Sequence, residues 1–159
     1  MSEEIENFKS SLIENPSEFF SGTVTPETEK LCADIYAILD SFPDEQKINP
    51  CVDQFIHGGV YTRTLFIPKG VFILGALIKV PTTVIIHGDL LLSNGHNTAH
   101  SKGFCTFKGV PYRRCFMFAL EDTYFTTHNA TKATTIEDAE KEFTDEWELL
   151  TTYKERHRK

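Results

Sequence analysis

Apolar and polar positions follow three different rhythms along the chain. Near the start, Ile5, Phe8 and Leu12 recur at spacings of three and four, which predicts a short amphipathic helix over residues 3–14. Pro16 and the Ser21-Gly22 pair interrupt it. The rhythm resumes at Thr25-Pro26-Glu27, where Thr25 can cap a helix and Pro26 suits its first position. Leu31, Ile35, Ile38 and Leu39 then fall on one predicted apolar face, and Ser41-Phe42-Pro43 ends the helix.

From Cys51 onward the apolar runs shorten and are punctuated by glycine, proline and polar turns. Val60–Pro68, Val71–Val80, Thr83–His87, Leu90–Leu92, Gly103–Phe107, Cys115–Leu120 and Tyr124–Thr127 read as strands. Pro68-Lys69-Gly70, Pro81, His87-Gly88-Asp89, Ser93–Asn97, Lys108-Gly109 and Glu121-Asp122 read as the breaks between them. Many short strands at even spacing predict a barrel or sandwich, not alternating β-α units. A third rhythm closes the chain. Thr134-Thr135-Ile136-Glu137 offers a Thr-x-x-Glu capping box, and Ile136, Ala139, Phe143 and Trp147 form an apolar stripe behind it. The predicted organisation is a helical segment over 1–50 that packs on a β-barrel over 51–132, followed by a C-terminal helix over 133–159.

Thirteen Phe, five Tyr and one Trp supply an aromatic-rich core for such a barrel. A formal net charge of −7 repels a phosphate backbone, so nucleic acid is not an expected partner. The basic spots are Arg113-Arg114, inside an apolar run, and the tail Lys154–Lys159, which suits a solvated helix end. Cys32, Cys51, Cys105 and Cys115 form neither a C-x-x-C pair nor a zinc-like set with histidine, and Cys32 and Cys115 sit among apolar neighbours. The acidic opening Met1–Glu6 is neither a secretory signal nor a transit peptide, and no apolar run is long enough for a membrane span. Reduced thiols and a cytoplasmic location, without membrane contact, are expected.

The most distinctive stretch is Gly59–Gly75, a strand that meets a Pro68-Lys69-Gly70 turn and a second strand. Alternation puts Tyr61, Arg63, Leu65 and Ile67 on one face, with Thr62, Thr64 and Phe66 on the other. An arginine at a strand centre is either a solvated rim residue, or paired with a carboxylate such as Asp89 or Glu121, or kept for an anionic ligand. Catalytic motifs are absent: there is no G-x-S-x-G, no phosphate-cradling glycine loop and no H-E-x-x-H. Glu121 and Asp122 are adjacent, so they point apart and make no acid–base pair. His128 ends its strand where it is expected to face the barrel mouth.

Gly59-Val60-Tyr61-Thr62-Arg63, Ile67-Pro68-Lys69-Gly70, His87-Gly88-Asp89 and Glu121-Asp122-Thr123…Thr126-Thr127-His128 together resemble the cupin superfamily, and more narrowly the small cupin-like proteins of tailed bacteriophages. The resemblance covers about residues 58–145 and implies a mainly β, small cupin-like barrel with terminal helices, α+β overall. Metal-binding cupins converge histidines and a carboxylate on one cation. Here Gly75–Thr82 holds no histidine and no carboxylate, and Leu120 stands at the second ligand position. The resemblance therefore implies a metal-free barrel with no cofactor, acting by protein or ligand binding as an assembly component or host-protein modulator. The alternative is a small-molecule enzyme, or a sugar- or nucleotide-binding cupin, that uses the barrel interior; in a sugar epimerase of the cupin type, the resemblance would make His128, Asp89 and Tyr61 the base, orienter and acid. Candidate binding residues are Tyr61, Arg63, Lys79 and His128, and candidate interface residues are Phe143 and Trp147. A homo-oligomer, most simply a dimer, is expected, with a host or virion protein or a small anionic ligand as further partner, in a host cytoplasm.

Overall fold

The computed structural model describes residues 24–150 and Thr152. Helices predicted over residues 3–14 and at the basic tail lie outside the described residues. Helix α1 spans Pro26–Ser41 and helix α2 spans Ile136–Phe143. Between them run β1 (Cys51–His57), β2 (Val60–Ile67), β3 (Phe72–Leu74), β4 (Thr82–Ser93), β5 (Thr98–Gly109), β6 (Phe116–Ala119) and β7 (Thr123–Ala130). All pairings are antiparallel, in the order β1-β2-β7-β4-β6-β3 with β5 on the far edge of β4. The result is a mainly β, curled sheet with a helix on either side of it in sequence, the α+β architecture expected.

β4 makes the sheet curl. Its Thr83–His87 half pairs with β7, and its Leu90–Ser93 half pairs on the same edge with β6. The change of partner falls at Gly88-Asp89. Gly88 has φ +149°, and a Cβ there would lie 2.2 Å from Thr123 Oγ1, so only glycine fits. The Asp89 amide donates to Thr123 Oγ1 at 3.1 Å, and its carbonyl accepts from the Leu120 amide at 2.8 Å. The β6–β7 connection is thus wrapped around the bend. Gly88-Asp89, expected to be a turn between two strands, is a bend inside one twelve-residue strand, because β5 pairs with β4 without a break.

Four further expectations are corrected. Cys51–His57, which was not among the predicted runs, is the edge strand β1 and pairs with residues 60–66 of β2. Val71–Val80 shortens to Phe72–Leu74, followed by a single backbone bond from the Gly75 amide to the Cys115 carbonyl at 2.9 Å and one isolated bridge between Ile78 and Arg113. The cap of α2 is Thr135, whose side chain accepts from the Asp138 amide, one residue beyond the predicted box. Trp147 leaves that helix and opens a separate 3₁₀ turn, Trp147–Leu149.

Inward positions of β2, β4, β6 and β7 build the main core, with Ile67, Val84, Ile86, Leu90, Leu92, Met117 and Phe125. A second cluster of Tyr61, Ala139 and Phe143 seats α2 against the barrel, with Phe143 edge-on to Tyr61 at 5.8 Å. Helix α1 behaves differently from its apolar stripe. Its buried residues are Thr28 and Cys32, while Leu31 and Ile38 are 39% and 58% exposed. Polar contacts set that orientation: Thr28 Oγ1 is 2.8 Å from His96 Nε2, and Glu29 is 3.7 Å from Arg114.

Candidate binding cavity

The interior of the barrel is not filled. A cavity of about 130 Å³ lies between β2, β7, the Ile73–Ile78 segment and the Arg113–Met117 segment. Leu65, Ile73, Met117 and Phe125 give it apolar walls, and Phe143 and Leu150 close it from the C-terminal side. Pro50, Tyr36 and the half-exposed Leu149 also line it. Its polar lining comes from Arg63, Arg113 and Thr127, with the Cys115 thiol beside them.

Strand alternation brings Arg63 inward, and the structure then neutralises it. Its Nη1 donates to Gln54 Oε1 at 2.9 Å, to Thr152 Oγ1 at 3.1 Å and to Glu140 Oε1 at 3.4 Å. Glu140 is itself fully buried and also accepts from the Thr152 hydroxyl. The partner of Arg63 is therefore Glu140 of α2, not Asp89 or Glu121. Those two carboxylates face outward, Asp89 to His100 at 2.6 Å and Glu121 to Lys69 at 2.8 Å. Arg114 is also matched. It makes a two-pronged contact with Glu146, at 3.0 and 2.5 Å, and reaches the Gly75 carbonyl at 3.1 Å.

Arg113 has no such counter-charge among the described residues. It is 5% exposed, and its bonds run to neutral acceptors: the Val110 carbonyl at 2.8 Å, the Val80 carbonyl at 3.5 Å and the Thr82 hydroxyl. Burial pulls its pKa down to about 10, which still leaves the guanidinium charged at neutral pH. The neighbouring Cys115 thiol cannot balance it, because burial pushes that pKa up to about 12. An unpaired buried charge costs several kcal/mol in general. Thr127, also 5% exposed, contributes to the same cavity a hydroxyl oxygen with no hydrogen-bond partner among the described residues.

Of the four residues nominated from sequence, only Arg63 lines the cavity. Tyr61 is fully buried beside it, with its hydroxyl donating to Gln54 Oε1 at 2.7 Å. Lys79 lies on the loop before Pro81 and pairs with the exposed Asp145. His128 does not face the barrel mouth. The β2–β7 register places it opposite Thr62 on the outer face, where its Nδ1 is 2.9 Å from Thr62 Oγ1. Asp89, Tyr61 and His128 are accordingly not one site. Phe143 is buried within its own chain, and Trp147 is half-buried under the Lys141 ammonium, 4.7 Å from the ring centre. Sequence reasoning did not find Arg113 and Thr127. The available signal was an arginine pair leading directly into the apolar strand Cys115–Leu120.

A cation site would require several imidazole, thiolate or carboxylate ligands to converge. Among the described residues no three His, Cys, Asp or Glu side chains do so, and the cavity's own groups are cationic or neutral. The residues present do not fit a bound metal there.

No protein-family model matches the chain, and no curated protein does. Similar solved structures include cupin-family proteins, one of them described as having a double-stranded β-helix fold. A cupin-family protein from Methanocaldococcus jannaschii is 14% identical, with 57% of this chain and 87% of that one covered at a TM-score of 0.45. A cupin domain from Bordetella pertussis is 14% identical over 55% of this chain and 98% of that one, at 0.44. The salicylate 1,2-dioxygenase of Pseudoaminobacter salicylatoxidans, bearing gentisate, is 11% identical over 66% of this chain and 32% of that one, at 0.44. These are likenesses of general shape.

Proposed function

We propose that the protein is a non-enzymatic binding protein that holds one compact small molecule inside its barrel. The observation that carries this reading is the cavity of about 130 Å³ with apolar walls and a few inward polar groups. Ligand sites have this composition because apolar walls supply affinity and sparse polar groups supply orientation. Its polar groups suit binding better than proton transfer. With pKa values of about 10 and about 12, Arg113 and Cys115 each keep their proton at neutral pH, so neither serves as a general base there. Benzene-sized probes should bind, since an engineered apolar cavity of about 150 Å³ accepts benzene. Two-dimensional NMR should show their shifts concentrated on Leu65, Met117 and Phe125. Binding should disappear in Leu65→Trp, which fills the space. Shifts scattered over the surface, and unchanged in that variant, would refute an interior site.

A second reading is favoured by the outer face of the sheet. Phe66, Tyr124, His87 and Phe104 stand side by side across β2, β7, β4 and β5, and Phe104 and Tyr124 are 70% and 50% exposed. Such a row suits a second copy of this chain, and a dimer would agree with an assembly role of the phage-encoded kind. Light scattering should then give twice the chain mass at micromolar concentration and a monomer for Phe104→Lys. A monomeric parent protein would exclude this reading.

A further inference from the structure

Three buried arginines flank the barrel interior, and two of them are matched with carboxylates. Arg63 has Glu140 and Arg114 has Glu146, each held by additional hydrogen bonds. Among the described residues, Arg113 alone of these three meets only two carbonyls and one hydroxyl. The same cavity holds the Thr127 hydroxyl, buried and without a partner among the described residues. A protein interior seldom leaves both a cation without a counter-charge and a hydroxyl without a partner in one space.

We propose that Arg113 and Thr127 are the recognition pair of this cavity, and that its ligand is a small organic monoanion, a monocarboxylate with an apolar body. This rests on the reading of the barrel as a small-molecule binder and adds the ligand's charge and class. One cation without a counter-charge calls for one negative charge. The guanidinium and the hydroxyl can both donate to a carboxylate, which accepts on two oxygens. Leu65, Ile73, Met117 and Phe125 call for an apolar remainder, which excludes inorganic phosphate or sulfate as the natural fit. The volume suits an apolar body of at most benzene size, about six heavy atoms, with the carboxylate turned to Arg113 and Thr127. Arg63 faces the same space, but its charge is already taken up by Glu140.

The test uses the full chain at pH 7 with four probes, pentanoate and benzoate against 1-pentanol and benzyl alcohol, read by calorimetry and NMR. The carboxylates should bind at least about tenfold more tightly than the alcohols of matching size. Thr127→Val preserves shape while removing the hydroxyl. It should weaken the carboxylates about three- to tenfold, leave the alcohols unchanged and not lower the melting temperature. Arg113→Met should abolish the preference for carboxylate; if that variant does not fold, Thr127→Val decides. Alcohols that bind the parent protein as tightly as the carboxylates would overturn the anion assignment and leave the binding cavity standing. Tight binding of inorganic phosphate alone would overturn the monocarboxylate class. Carboxylate binding indifferent to Thr127→Val would overturn the recognition pair. If none of the four probes binds, the cavity reading falls as well.

Discussion

Arg63 and Glu140 meet at 3.4 Å inside the protein, although 77 residues separate them in the chain. The contact ties the middle of β2 to α2 across the barrel mouth, with Gln54 and Thr152 completing the donor and acceptor set. Because both charges are buried, each depends on the other. A central strand arginine whose partner sits on a terminal helix acts chiefly as a clasp.

Arg63→Ala should therefore destabilise the fold by about 3 kcal/mol, since it leaves the Glu140 carboxylate buried without its cation. Replacing both residues with methionine should recover most of that loss, as buried ion pairs often exchange for apolar pairs at little cost. Urea unfolding of the two single variants and the double variant measures the coupling. A value for Arg63→Ala within about 0.5 kcal/mol of the parent would show that the pair contributes nothing to stability.

Gly88 and Gly103 face each other across β4 and β5, and both have positive φ, +149° and +80°. They differ in what surrounds them. A Cβ at Gly88 meets Thr123 at 2.2 to 2.7 Å, whereas one at Gly103 meets nothing within 4 Å. Gly103→Ala should cost only the backbone conformation, about 1 kcal/mol. Gly88→Ala should cost about 3 kcal/mol or more, because it pushes the start of β7 off the bend. Equal losses in thermal or urea unfolding would mean that the partner exchange on β4 does not depend on this contact.

What could be read from the sequence follows the physics of each signal. Period-two alternation placed Tyr61, Arg63 and Ile67 inward because that signal is local. The same rule could not orient His128, whose side depends on the register between β7 and β2. Gly88-Asp89 carries the signature of a turn, yet the continuous pairing with β5, a non-local contact, keeps it in a strand. The apolar stripe of α1 predicted the buried side only in part: Ile35 and Leu39 are partly buried, but Leu31 and Ile38 are exposed where His96 and Arg114, distant in sequence, contact Thr28 and Glu29. Arg113 was the least accessible feature. Its placement depends on a single bridge to Ile78 and on Tyr112 at φ +58°, neither of which leaves a periodic mark.

The four cysteines are free thiols and should separate by reactivity. At pH 8 a thiol reagent should modify the exposed Cys51 first and Cys105 more slowly, while the buried Cys32 and Cys115 react only on unfolding. Cys115 should also shape the alkaline limit of stability. Its pKa rises from 9.0 to about 12 on folding, because burial disfavours the thiolate. The folded state thus holds this proton more tightly than the unfolded state. That contribution is complete below about pH 9 and is lost as pH rises towards 12. Between pH 8 and pH 10, Cys115→Ala should lose less stability than the parent in urea titrations. Parallel losses in the two proteins would contradict the burial of the thiol.

Phe143 and Trp147 share the C-terminal segment but should respond differently to truncation. Phe143 is 3% exposed and packs on Tyr61 and the cavity, so Phe143→Ala removes core and opens the lid. A loss of about 3 to 4 kcal/mol is expected, with cavity ligands weakened in parallel. Trp147 is half-buried and carries Lys141 over its ring, a contact of about 0.5 to 1 kcal/mol at a partly exposed site. Trp147→Ala should lower stability by only about 1 kcal/mol. The two variants also separate packing from assembly. If the C-terminal segment serves only its own barrel, both variants keep the parent's mass by light scattering. If Trp147 contributes to an interface between copies, Trp147→Ala should dissociate the assembly at a concentration where the folded chain is unaffected. The second outcome would move the dimer contact from the aromatic row around Phe104 to the end of the chain.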